Sequence, residues 1–103
     1  MSVVQLAGVD LFFRAKIEAM LTASGHEVIA KAGGPTPDVV IADVNRTEPA
    51  DVLARFPGVP VLGFGAHTDP QRLRAARAAG FATVVPRSVL AERLPDLVSD
   101  LVG

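Results

Sequence analysis

The 103-residue sequence has no cysteine, no tryptophan and no tyrosine. Without cysteine there are no disulfides, thiolate metal sites or cysteine nucleophiles, and His26 and His67 are the only imidazoles, so a structural zinc is not expected. The five phenylalanines are the whole aromatic complement, which leaves no platform on which nucleobases stack. Charge of one sign is lacking too. Ten basic and eleven acidic residues give a formal net charge of -1, so neither nucleic acid nor a membrane surface is expected as a partner. Half of the residues are hydrophobic, yet no run approaches the roughly 18 apolar residues of a membrane span, and Met1-Ser2-Val3-Val4 lacks the basic start of a signal peptide. The expectation is one cytoplasmic domain over residues 1–103, with a single core and no repeats, low-complexity tail or linker to an output domain.

What is present alternates between two patterns. Val3 to Ala7 reads as a strand, and Asp10 to Ser24 places Phe13, Ile17, Met20 and Leu21 at helical spacing before Gly25 stops the helix. His26 to Ala30 is a second strand. Val39-Val40-Ile41-Ala42, leading into Asp43, is the uninterrupted apolar run of a parallel strand buried on both faces. Pro49 opens a short helix through about Phe56, with Thr47 or Glu48 as its cap, and Pro57-Gly58 closes it. A fourth strand spans Val59 to Phe64. Asp69-Pro70 begins a helix that runs through Ala79, and Ala82 to Val85 is a fifth strand. The last helix is expected from Pro95 to Val102, after an irregular or single-turn lead-in over Ser88 to Arg93.

This order predicts an α/β fold, a flavodoxin-like five-stranded parallel sheet in the order 2-1-3-4-5 with helices on both faces. Between strands two and three lies Gly33-Gly34-Pro35-Thr36-Pro37-Asp38, too short for the usual helical crossover. Six extended residues reach about 20 Å, one strand length. The helix between those strands is expected to be missing, and the third helix of such a fold, after strand three, to be short.

The segment Pro37-Asp38-Val39-Val40-Ile41-Ala42-Asp43-Val44-Asn45 resembles the third strand of bacterial response-regulator receiver domains, the CheY-like superfamily. Pro60 to Ala66 is similar to that family's fourth strand, and Ala78 to Arg87 to its Ala-Gly-rich lead into the fifth. The resemblance implies Asp43 as the phosphoacceptor, with the Asn45 backbone carbonyl offered to a metal ion. The departures are as informative. Counted back from Gly25, the family's two Mg²⁺-binding acids fall on Gly8 and Val9, and Asp10 comes one position late. The phosphoryl-binding hydroxyl is replaced by Gly65, the lysine by Arg87 and the switch aromatic by Val84. Phosphoryl transfer to a carboxylate rests on positioning and charge neutralisation, and Mg²⁺ demands near-octahedral oxygen ligation, so a metal on Asp43 and Asp10 would be weakly held.

Each residue has a plainer alternative. Asp43 can be a polar end to a buried strand. Asp10 can be an N-cap or a displaced metal ligand. Arg87 can pair with Asp43 as a built-in counterion or extend into solvent, and His67-Thr68-Asp69 is explained by a loop before a capped helix. Two surfaces invite partners. The helix after the fourth strand carries Arg72, Arg74 and Arg77, and the last helix carries Asp96 and Asp100 at i, i+4 on one face with Glu92 just before, so an isologous dimer could cross Arg74 and Arg77 with Asp96 and Asp100. The missing helix leaves sheet surface uncovered. The leading expectation is a degenerate, stand-alone receiver-like domain, not an enzyme, that binds a protein partner in a signalling pathway and needs no cofactor. The alternatives are a working acceptor phosphorylated on Asp43 with Mg²⁺, and a small-molecule binder using the strand-end crevice.

Overall fold

A computed structural model of the chain describes residues 2–31 and 33–102. The elements run β1 (Val3–Ala7), α1 (Leu11–Ala23), β2 (Glu27–Ile29), β3 (Val39–Asp43), α2 (Pro49–Arg55), β4 (Val61–Gly65), α3 (Pro70–Ala79), β5 (Thr83–Pro86) and α4 (Arg87–Val102). The five strands form one sheet in the order β2-β1-β3-β4-β5, and every pairing is parallel. The flavodoxin-like order is the one expected from the alternation of patterns.

Period-two alternation divides the sheet into two faces. Val4, Leu6, Val39, Ile41, Leu62 and Phe64 pack with α1 and α4 through Ile17, Leu21, Leu90, Leu94, Leu97 and Val98. Ala7, Val40, Ala42 and Val61 pack on the other face with Val52 of α2 and Leu73 and Ala76 of α3. All five residues of β3 are buried, as both-face coverage requires.

The caps follow from side-chain chemistry. Asp10 accepts from the Phe13 N–H at 2.9 Å and so starts α1, and Asp69 accepts from the Arg72 N–H at 3.3 Å ahead of Pro70. Helix α2 is short and starts at Pro49. Glu48 occupies its N-cap without a side-chain capping bond, its carboxylate accepting from Arg72 at 3.3 Å instead. The crossover from β2 to β3 contains no helix among the described residues. Its end is tied down by Asp38, whose carboxylate accepts from the Val3 N–H at 2.7 Å.

Several boundaries differ from the sequence reading. Strand β4 begins at Val61, not Val59, because Pro60 has no N–H to give the ladder. Strand β5 is shifted one residue, to Thr83–Pro86, and β2 is shorter than expected. The larger correction is α4. Helix begins at Arg87, straight after β5, so the lead-in expected to be irregular or a single turn is a helical stretch that joins the Pro95 helix across a kink at Arg93. Leu90 belongs to the same buried stripe as Leu94, Leu97 and Val98, and burial of that stripe outweighs the break at Pro95. The break survives as a kink at Arg93 (φ -122°, ψ 18°), two residues before the proline that removes a helical N–H.

Candidate functional site

The carboxyl ends of parallel strands gather polar residues because the chain leaves the apolar core there. At this rim Asp10 follows β1, Asp43 ends β3, Gly65 ends β4 and Arg87 follows β5. Three of these side chains meet. Arg87 Nη2 donates to Asp43 Oδ2 at 3.3 Å, and Nη1 donates to Asp10 Oδ2 at 3.4 Å.

The pair with Asp43 is lopsided in its exposure. The Asp43 side chain is 1% exposed and that of Arg87 44%. A buried carboxylate is tolerated only with a partner charge and satisfied oxygens, and Asp43 has both. Its Oδ1 accepts from the Asn45 N–H at 2.9 Å while its Oδ2 takes the guanidinium. Arg87 is itself held in place by aromatic faces. Its Cζ lies 4.8 Å from the Phe13 ring centroid and 5.4 Å from that of Phe64, and the two rings pack 5.1 Å apart. A planar guanidinium stacks on such faces in a way an ammonium does not. Asp10 carries a cap and an ion pair at once. The Phe13 N–H first, and then Arg87, hold its carboxyl below the ordinary value of 3.8, against the opposing pull of desolvation.

The loop after β3 closes the site from the other side. The Thr47 hydroxyl donates to the Asp43 carbonyl at 2.7 Å. Asn45 Oδ1 accepts from the Ala66 N–H at 2.8 Å, and its Nδ2 donates to Asp69 at 3.2 Å. The places where acids and a hydroxyl would stand are filled by packing. Gly8 has φ +69°, and a Cβ there would lie 2.5 Å from Thr47 Cγ2. Val9 packs against the α1/α4 side of the core. A Cβ on Gly65 would lie 2.6 Å from Val44 Cγ2 and 2.7 Å from Asn45 Oδ1. Val84 is buried with the α2/α3 side of the core.

These residues do not fit a Mg²⁺ ion. The two carboxylates at the rim, Asp10 and Asp43, each present an oxygen to the same guanidinium, and among the described residues no group of three or more His, Asp or Glu could hold a metal. A hard cation needs about six oxygen ligands, and here a fixed cation of the protein already stands between the two available.

The residues assigned to a dimer surface lie around the β5 edge, with α3 and α4 on opposite faces of the sheet. Arg74, Asp96 and Asp100 are exposed. Arg77 is partly engaged within the chain, donating to the Val84 carbonyl at 2.9 Å. Sequence reasoning missed Phe13, Phe64 and Thr47 as parts of the site. Phe13 reads as one of the apolar positions of the first helix, Phe64 as the end of the fourth strand and Thr47 as a candidate cap; nothing in their spacing points to a clasp for Arg87.

No family model matches this sequence, and no curated protein matches it. Solved structures do. A response regulator from Thermotoga maritima aligns with 99% of this chain and 98% of its own at TM-score 0.80 and 16% identity. A receiver domain protein from Clostridium thermocellum aligns over 99% and 94% at TM-score 0.81 and 16% identity. The Vibrio cholerae chemotaxis protein CheY4 aligns over 98% of both chains at TM-score 0.76 and 20% identity. In longer neighbours only a part is matched: the chain spans 26% of NtrX from Brucella abortus. With its sheet order and its surrounding helices, the chain has the flavodoxin-like fold of response-regulator receiver domains.

Proposed function

We propose that this chain is a receiver-like signalling domain that works in the cytoplasm by protein–protein contact, without enzymatic turnover and without efficient phosphorylation. The observation that carries this reading is the Arg87 guanidinium bridging Asp43 and Asp10. A phosphorylated acceptor needs a free carboxylate oxygen and mobile cations to neutralise incoming charge. Both Asp43 oxygens are hydrogen-bonded within the chain, one of them to a cation of the protein itself. The test is a Mg²⁺ titration followed by amide spectra. The account expects no saturable change at Asn45, Ala66 or Arg87 up to roughly 10 mM. A saturable response at those amides would favour the phosphoacceptor reading instead.

Contact with a second copy is part of the same proposal. Strand β5 ends the sheet, with Arg74 exposed on α3 and Asp96 and Asp100 exposed on α4. A two-fold dimer crossing these charges would form at low ionic strength and weaken as salt screens it over about 10 Å or less. Light scattering should show a mass above one chain that falls on raising salt. A mass of one chain at every concentration and ionic strength would remove the dimer.

A further inference from the structure

Among the described residues, the face of the sheet that carries α2 and α3 contains one buried polar side chain, where apolar ones are the rule. Gln5, in the middle of β1, is 2% exposed, and its neighbours on that face, Ala7, Val40 and Val61, all belong to the apolar core. A carboxamide in such a place is costly unless its hydrogen bonds are made. Its amide nitrogen makes two, donating to the Leu6 and Lys31 carbonyls at 3.2 Å each. With both N–H groups spent, the carboxamide oxygen is the group left to accept a bond.

Gln5 is also part of the wall of a cavity of about 330 Å³. The cavity lies beside the crossover that carries no helix. Residues 33–37 bound it on one side, and Arg55, Phe56 and Pro57 bound it on the other. These segments lead into β3 and β4, so the cavity lies at the end of the sheet opposite Asp43. No acidic residue lines it. Arg55 sits over the Phe56 ring, its Cζ 5.3 Å from the centroid, and among the described residues it makes no ion pair. The lining therefore offers the Gln5 carboxamide, one aromatic ring that Arg55 overlies on one side, proline rings nearby and a guanidinium that makes no ion pair among the described residues. Its volume is at the small end of the roughly 300–1,000 Å³ typical of ligand sites.

We propose that this cavity binds a small, flat heteroaromatic acid, its ring N–H donating to the Gln5 carboxamide oxygen and its carboxylate meeting Arg55. The ring would lie against Phe56 and the proline-rich 33–37 segment. The amide oxygen discriminates against rings that lack a donor, since they would leave it unpaired. The guanidinium discriminates against neutral rings, because charge-assisted pairing is the stronger bond. The site is independent of the Asp43–Arg87 pair and stands or falls separately from the reading of that pair.

The test uses the full chain, nitrogen-labelled, with orotate as the acid and uracil as its neutral counterpart. Amide spectra should show saturable shifts at the Gln5 side-chain amide and at Gly33, Gly34 and Phe56, with Asn45 and Ala66 at the opposite edge unmoved. Arg55→Gln, a surface change, should weaken orotate by roughly tenfold or more and leave uracil unaltered. Gln5→Met, close in volume, should weaken both. Absence of saturable shifts at these groups would overturn the proposal, and so would orotate affinity unchanged in Arg55→Gln or in Gln5→Met.

Discussion

Replacing Arg87 by methionine should lower the stability of the domain by about 2–3 kcal/mol, read as a drop in the urea midpoint. The substitution keeps a long apolar stem against Phe13 and Phe64 but leaves the Asp43 carboxylate, 1% exposed, without its counterion. Removing one partner of a fully buried pair costs about 3–5 kcal/mol. The figure here is set lower because the Arg87 side chain is 44% exposed and water shares its charge. For a domain of this size such a loss corresponds to a melting temperature lower by roughly 10 °C or more. Asp43→Asn in the same background should recover part of it, since the remaining buried group is then neutral, and the double-mutant cycle should give a coupling of about 1 kcal/mol or more. An unchanged midpoint in Arg87→Met would show that the pair contributes nothing, and the idea of a built-in counterion would fall with it.

Restoring a hydroxyl at the end of β4 should also destabilise the fold. In Gly65→Ser, the new Cβ would stand 2.6 Å from Val44 Cγ2 and 2.7 Å from Asn45 Oδ1, closer than carbon atoms pack. Asn45 cannot simply swing away, because its Oδ1 accepts the Ala66 N–H at 2.8 Å. The backbone must shift or that bond must break, which places the cost at about 1–3 kcal/mol by denaturant midpoint. Asn45→Ala combined with Gly65→Ser should cost less than the sum of the two single changes, because the alanine makes room. If Gly65→Ser proves neutral, the rim is looser than its packing implies. The same reasoning makes Gly8 resistant to an acid, through its positive φ and the Thr47 methyl.

How much of this was legible beforehand depends on the kind of signal. The sheet order came from alternation alone. The run Val39 to Asp43 is apolar on both faces, which only a central parallel strand needs, and it is buried throughout. That the described residues of the β2–β3 crossover form no helix followed from counting residues. The break ahead of Pro95 was legible as a local stop signal and stands as the kink at Arg93, whereas the helical extent of the lead-in was not, because Leu90 reports its burial only once the sheet is there to receive it. The site was half legible. Asp10, Asp43 and Arg87 were marked by their places near strand ends, and the pairing of Arg87 with Asp43 was one of two open alternatives, whereas the contact of Arg87 with Asp10 was not foreseen. The clasp of Phe13 and Phe64 on Arg87 was hidden, because an aromatic on a helix or a strand has the same appearance in sequence whether it fills the core or holds a cation. The tight packing around Gly8 and Gly65 was equally hidden, since a glycine in sequence does not show which neighbour occupies the space beside it.

The central claim is that Asp43 is held by Arg87 in place of a phosphoryl-transfer reaction. It is tested most directly by intact-protein mass after incubation with acetyl phosphate and millimolar Mg²⁺, with Asp43→Ala alongside. The account predicts the unmodified mass for both proteins. A single phosphoryl adduct on the natural chain that is lost in Asp43→Ala would contradict it and make this domain an active phosphoacceptor.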